Sequence, residues 1–319
     1  MRFTRMLGVG AAAIALLAAA ACGGDSLEDS GDDSGSNGDT SDKGSLNLYG
    51  QNFTEMQIMS EMYAQVLENA GYDVSVKLVA TRDIYIREMK AGRVDVVPEY
   101  VAGIADLLNV QANGENAEPI TSNDPEESLA ALEPLAEDAG ITMLEPSEAT
   151  DQNAFAVTQE FADENDLTTL SDYAAMGEPI KLAAAPDCEG RPDCEAGLTE
   201  VYGFDIEEIV PLGFGTPQTK DAVLEGEVDL GLVGTTDGSL DDLGLVILED
   251  DKGIQPAQNL IPAVRTEFLD ENPDVAEVLN ELSATLTTEQ LGEMNAAVDI
   301  NREKPEDVAA SYLEEQGLI

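Results

Sequence analysis

From residue 45 onward the apolar positions of the chain change their period repeatedly. Leu46 and Leu48 alternate with polar neighbours in LNLYG (46–50), which predicts a short strand. Asn52 and Glu55 stand where the N-cap and third position of a helix belong. Phe53, Met56, Met59 or Tyr63, Val66 and Leu67 then recur at helical spacing until Gly71 supplies a stop. Val74, Val76 and Leu78 alternate as a second strand, Asp83 to Ala91 reads as a helix, and VDVV (94–97) returns as a strand that stops at Pro98 and delivers Glu99 and Tyr100 just beyond it. Strands alternating with helices predict an α/β fold with a mainly parallel sheet, whose ligands sit outside the carboxyl ends of the strands. Glu99 and Tyr100 stand at such an end.

The pattern occurs twice. ATRDIYIREMKAGRVDVVPEY (80–100) lies over FGTPQTKDAVLEGEVDLGLVG (214–234) without a gap, so that Gly92 meets Gly226, Val94 meets Val228 and Asp95 meets Asp229. Two readings fit: two unrelated turns obeying the same C-cap rule, or two similar α/β lobes that face each other and each present a helix N-terminus, with its free N–H groups and partial positive charge, to a shared cleft.

Composition removes many functions. The 319 residues contain no histidine, which excludes Ser-His-Asp and Cys-His nucleophile systems and any metal site that needs imidazole. Fifteen basic against 65 acidic residues give a formal charge of −50 and a pI near 4.1, so the chain repels phosphate backbones and nucleic acid is not expected as a partner. The acidity reads as that of a solvated surface keeping an exported protein soluble, the alternative being a specific cation-binding role. Export is written at the amino terminus: Arg2 and Arg5 precede LGVGAAAIALLAAAA, which is short of the ~20 residues of a membrane span and leads into Cys22. This reads as a signal peptide over 1–21. LLAAAACGG resembles the lipobox of bacterial lipoproteins, which makes Cys22 a lipidation site, the alternative being ordinary secretory cleavage near Ala21. GGDSLEDSGDDSGSNGDTSDKG cannot bury a core, so 22–44 is expected to be a disordered acidic tether. Cys188 and Cys194, in PDCEGRPDCEA, are most simply a disulfide in an oxidising exterior, because a zinc site would need two further soft ligands that the chain lacks.

QNFTEMQIMSEMYAQVLENAGYDV, REMKAGRVDVVPEYVAG, DQNAFAVT, PDCEGRPDCEAGLTEVYGF, the GTPQT turn and TTDGSLDDLGLVILEDDKG carry a resemblance, in order from about residue 46 to the end. They are similar to the extracytoplasmic binding proteins of glycine betaine/choline/carnitine ABC transporters. The resemblance implies a type II periplasmic-binding-protein fold of two α/β lobes with a ligand cleft between them. Lobe 1 would span 45–152 and return for 256–319, lobe 2 would span 153–255, and DQNAF and QPAQN would be the hinge crossings. It further implies capture of a quaternary ammonium osmoprotectant by lobe closure and delivery to an ABC permease and its ATPase. The protein would be a non-enzymatic monomer without a cofactor, anchored as a lipoprotein on the outer face of the cell membrane.

A trimethylammonium group cannot donate hydrogen bonds, so aromatic faces select it. The resemblance assigns Tyr85, Tyr100 and Phe53 to the wall, and Arg82, Gln218, Thr219 and Asn259, with Thr235 and Thr236 as hydroxyl donors, to a ligand carboxylate. Glu99 either adds charge near the cation or braces its loop. Members of the family often carry an aromatic residue immediately before the TTD element, whereas this chain has Gly234 there. That leaves a cage formed largely by lobe 1, or one completed by Phe214, and a wider pocket. A sensor lipoprotein of the same fold, a binder of another small zwitterion, and a secreted hydrolase working through paired carboxylates are the alternatives.

Overall fold

The computed structural model describes residues 43–114 and 116–319. The expected signal peptide, Cys22 and the tether as far as residue 42 lie outside the described residues. Lys43 already belongs to the folded body, its N–H donating to the Gly71 carbonyl and its ammonium pairing with Asp274.

The strands are β1 (Ser45–Gln51), β2 (Asp73–Val79), β3 (Val96–Tyr100), β4 (Ile141–Met143), β5 (Asn153–Thr158), β6 (Pro179–Ala184), β7 (Asp205–Pro211), β8 (Leu230–Gly234), β9 (Leu245–Leu248) and β10 (Leu260–Arg265). They form two five-stranded sheets, in the orders β2-β1-β3-β10-β4 and β7-β6-β8-β5-β9. The two orders are one topology. In each sheet three strands run parallel, and a fourth, β10 or β5, lies antiparallel between the third and the edge. The sheets are therefore mixed, where strand-helix alternation predicted mainly parallel ones. The reason is chain direction: β10 and β5 begin where the chain crosses from one sheet to the other, beside the carboxyl ends of β3 and β8, and can only run away from them.

Each sheet is covered on both faces, as parallel strands require. Leu46, Leu48 and Val96 pack against the helix Thr54–Asn69 and, beyond it, the helices Asp274–Ser283, Thr288–Asp299 and Pro305–Gln316. On the opposite face Val97 and Ala263 meet Tyr85, Ile86 and Met89 of the helix Arg82–Lys90, together with Ile104 and Leu108 of the helix Val101–Asn113. In the second sheet Phe155, Leu182, Leu230 and Leu232 share a core with Tyr173, Leu198, Tyr202 and the half-cystines Cys188 and Cys194. Those two sulfurs are bonded, closing a loop with a sequence separation of 6. Tyr63, Tyr173 and Tyr312 are packing residues, all buried.

Strand β3 does not stop at Pro98. Pro98 faces Pro262 of β10, between the hydrogen-bonded pairs Val97–Ala263 and Glu99–Ile261, at a register position where neither residue needs an N–H toward the other. The strand thus continues through the proline to Tyr100.

The repeat is structural. The shift of 134 residues that aligns 80–100 with 214–234 lays β3 onto β8 end to end, and the helix Arg82–Lys90 onto Pro217–Leu224. Gly92 and Gly226 both take the left-handed conformation, at φ 70° and 68°. The aspartates repeat one bond. Asp95 accepts from the Asn47 N–H of β1 while its own N–H donates to the Asn47 carbonyl, and Asp229 does the same with Lys181 of β6.

Candidate functional site

The two sheets are joined by segments that lie side by side. The Asp151 N–H donates to the Gln258 carbonyl, Thr150 and Asn259 form an isolated antiparallel bridge, and the Gln152 side-chain amide donates to the Pro256 carbonyl. Thr235 holds the first segment to β8: its hydroxyl donates to the Thr150 carbonyl and accepts from the Gln152 N–H.

Beside these crossings a cavity of about 520 Å³ opens between the lobes. One wall is the start of the helix Thr54–Asn69 (Phe53, Thr54, Glu55) with Asn295, Ala296, Asp299 and Ile300 from the helix Thr288–Asp299 and its C-cap. The other is Phe214, Gly215, Pro217, Lys220, Gly234 and the turn Thr236 to Ser239, and Asp151 lies at the crossing. Phe53 and Phe214, 39% and 47% exposed, are large apolar side chains left uncovered on opposite walls. Gly234 makes room for one of them, since a Cβ there would lie 3.1 Å from Cζ of Phe214.

Two carboxylates, Glu55 and Asp151, share the lining with the rings. Glu55 is buried, with Oε1 accepting from the Tyr100 hydroxyl at 2.5 Å and Oε2 from the Asn295 amide at 2.8 Å. The same Asn295 amide donates to the Thr236 carbonyl of the other lobe. Asp151 accepts from the Thr236 hydroxyl at 3.1 Å. Burial first, and the charge of Glu55 second, push the Asp151 carboxyl up to about 7. Burial, then the charges of Glu55 and Asp151, hold the Tyr100 phenol well above its ordinary range, so it serves as a proton donor. Lys220 donates to Asp237 and Ser239, both at 2.8 Å.

Of the residues singled out from sequence, Phe53, Phe214 and Thr236 line this cavity. Tyr100 does not: its ring packs in the first core and its hydroxyl holds Glu55 from behind. Tyr85 is farther still, fully buried with its hydroxyl on Glu99. Arg82 is engaged by Glu99, with Nε 3.0 Å from one oxygen and a terminal nitrogen 3.2 Å from the other. Burial lowers its pKa, but the Glu99 carboxylate outweighs that and leaves it raised. Glu99, which also accepts from the Tyr100 N–H, is therefore a brace. Thr219 spends its hydroxyl on the Gly213 carbonyl, Asn259 donates to the Ser147 carbonyl, Thr235 stitches the crossing, and Gln218 is exposed outside the lining.

Glu55, Asp151 and Asn295 are not singled out by the sequence as site residues. The pattern makes Glu55 a capping-box residue, but the helix begins one residue later, at Thr54, capped by the backbone of Phe53 without a side-chain bond, and Asn52 bonds Gln57 instead. The signal that points to Glu55 is an acid beside an aromatic residue at the first helix N-terminus of an α/β unit. Among the described residues no cluster of three or more histidine, cysteine, aspartate or glutamate side chains could hold a metal ion, and no helix is long and apolar enough to cross a membrane.

Residues 44–315 match the family model OpuAC, described as the substrate binding domain of the ABC-type glycine betaine transport system. The chain is 30% identical over 285 residues to the glycine-betaine-binding protein of Pseudomonas aeruginosa, covering 86% of this chain and 88% of that one. Among solved structures, apo YehZ from Escherichia coli superposes with a TM-score of 0.74 at 27% identity, over 86% of this chain and 99% of that chain. Lactococcal OpuAC, in its closed-liganded conformation complexed with glycine betaine, shares the fold with a TM-score of 0.51 at 13% identity, over 86% of this chain and 96% of that chain. Two mixed sheets of one topology, paired crossings and a cavity between the lobes agree with those likenesses, and the chain belongs to the family of substrate-binding domains of ABC-type glycine betaine transport systems.

Proposed function

We propose that the protein captures a small quaternary ammonium solute between its two lobes and hands it to an ABC permease. In this reading it is a non-catalytic monomer, held at the outer face of the membrane by a lipid on Cys22. The single observation that carries the ligand class is the lining of the cleft: two exposed phenylalanine rings, one from each lobe, beside the buried carboxylate of Glu55 and the half-buried one of Asp151. Rings supply the cation–π faces that a group without N–H donors needs, and the carboxylates supply its counter-charge. Rings on opposite lobes engage one solute together only when the lobes come together, so binding and closure are one event. Lobe 1 comprises 45–152 and 256–319, lobe 2 comprises 153–255, and the paired crossings are the hinge. The extracytoplasmic setting is that of the family, and the leader, lipobox-like run and acidic tether of the sequence support the anchor.

Calorimetric titration of the full chain with choline, glycine betaine and carnitine tests the reading. Saturable binding of at least one is expected, weakened roughly 2- to 30-fold by Phe53→Ala or Phe214→Ala, the worth of one desolvated cation–π contact. Binding of none would refute it.

A further inference from the structure

We infer that the loop closed by the Cys188–Cys194 disulfide is the clamp of the hinge: through Asp193 it holds both crossing segments on lobe 2, and so fixes where the chain can bend. This rests on the two-lobe reading above and adds to it a positioning residue that lies outside the lining of the cleft.

Asp193 stands next to Cys194 and reaches each crossing with a different atom. Its carboxylate accepts from the side-chain amide of Asn153, the first residue of β5, at 3.0 Å. Its backbone carbonyl accepts from the side-chain amide of Gln255, a buried residue of the second crossing, at 2.8 Å. Arg191, inside the loop, holds the same carboxylate, with Nε 3.0 Å from one oxygen and a terminal nitrogen 2.5 Å from the other. The loop is fixed in its turn. Both half-cystines are buried in the core of lobe 2, the Arg191 N–H donates to the Cys188 carbonyl, and the Cys194 N–H donates to the Arg191 carbonyl. Gly197 lets the loop lie close, because a Cβ there would collide with the Pro192 carbonyl and with the side chain of Ile254. The segment Gly197–Tyr202, which follows the disulfide, carries the hold further. Its Tyr202 hydroxyl donates to Asp250, and the Asp250 carboxylate accepts from the N–H groups of Ile254 and Gln255.

On the far side of each crossing the anchors belong to lobe 1. The Thr150 N–H donates to the Thr288 hydroxyl, and the Ala257 N–H donates to the Ser122 carbonyl while the Ala257 carbonyl accepts from the Ala102 N–H. Between the two sets of anchors lie Asp151 and Gln152 on one crossing and Pro256 on the other, and the bond from the Gln152 amide to the Pro256 carbonyl ties them together. A bend confined to so few residues has few open arrangements to compete with the closed one, so closing costs correspondingly little conformational entropy. The first crossing has a further hold on lobe 2 in the Thr235 hydroxyl, which leaves the second crossing the more dependent on the loop. Without the disulfide, Asp193 is no longer presented in one place. Gln255 then loses its partner, and the pivot lengthens from Pro256 back into lobe 2.

Hydrogen exchange of the full chain without solute tests this, in Cys188→Ser with Cys194→Ser and, with the disulfide intact, in Asp193→Ala. The amides of Lys252, Ile254 and Gln255 should exchange about tenfold faster or more in the double serine variant, over and above any change in β6 and β7 of the same lobe. In Asp193→Ala the same amides should exchange about threefold faster or more, again in excess of β6 and β7. An acceleration spread evenly over lobe 2 would make the disulfide an ordinary staple and overturn the clamp. Crossing amides that keep the unsubstituted rate in Asp193→Ala overturn it as well, and that variant decides the matter if the double one fails to fold. Either failure leaves the solute reading untouched, because no solute is present, and that reading stands or falls by titration.

Discussion

Laid over each other, the two lobes have one scaffold and two sets of side chains. At the end of its third strand lobe 1 has Glu99 and Tyr100, where lobe 2 has Val233 and Gly234. On the preceding helix Arg82 and Tyr85 of lobe 1 correspond to Thr216 and Thr219. Lobe 1 buries a charged network behind the cleft, joining Arg82, Tyr85 and Glu99, with Tyr100 reaching forward to Glu55. Lobe 2 has no side chain at the position of Tyr100, and Phe214, from a loop, lies over Gly234. The left-handed glycine and the aspartate that bonds the neighbouring strand are common to both lobes. Scaffold and site chemistry are therefore set by different positions of one repeat.

The sharpest break in this comparison is at its charged member. Glu99→Ala removes a fully buried carboxylate and leaves Arg82 without its partner, an expected loss of about 3–5 kcal/mol. Val233→Ala at the equivalent place removes only apolar volume, roughly 1–2 kcal/mol at ~0.8 kcal/mol per methylene. Urea denaturation of the two variants measures the difference, and equal losses would mean that the network is not specific to lobe 1.

The crossing between the lobes is next in expected size. The folded state retains the Asp151 proton up to about pH 7, whereas the unfolded chain releases it near the ordinary 3.8. The stabilisation is therefore present at low pH and is lost as pH rises between those values, at no more than roughly 1.4 kcal/mol for each pH unit crossed. Asp151→Asn should flatten the fall of melting temperature across that window, and a slope identical to that of the unsubstituted protein would contradict the burial of this charge.

Third is the staple that lobe 1 does not share. After β1, lobe 1 continues as the long helix Thr54–Asn69, whereas after β6 lobe 2 has the Cys188–Cys194 loop and a single π-helical segment, Gly197–Tyr202. Cys188→Ser with Cys194→Ser should cost about 2 kcal/mol by loop-closure entropy. The first opening detected by hydrogen exchange should then move to lobe 2.

The smallest effect tests the ring exchange. Gly234→Tyr sets a side chain where Phe214 lies, and should weaken solute binding by about tenfold. Adding Phe214→Ala should recover most of that loss, because a single ring again occupies the space; titration of the single and double variants measures this.

Much of the scaffold is legible in the chain. The repeat at 80–100 and 214–234 depends on local rules, a helix stop at glycine and an aspartate entering a strand, and each acts within a few residues. The end of β3 is not legible in this way, because a proline's effect depends on the register of the strand opposite, and Pro262 lies far from Pro98 in sequence. The site is legible in part. Phe53, Phe214 and Thr236 line the cleft, but Tyr85, Tyr100 and Arg82 serve the wall from behind, because packing and Glu99 set the direction in which each points.

The sequence by itself determined the α/β architecture, the doubled unit, the absence of imidazole chemistry and the acidic character, all of which follow from periodicity and composition. Only the tertiary structure decided which acids matter. Glu55, Asp151 and Asn295 come from the first helix, the first crossing and a helix near the end of the chain, and the fold brings them to one cavity, with Glu55 buried and the other two half-buried. Charge acquires a role when it is desolvated, and desolvation is a property of the fold.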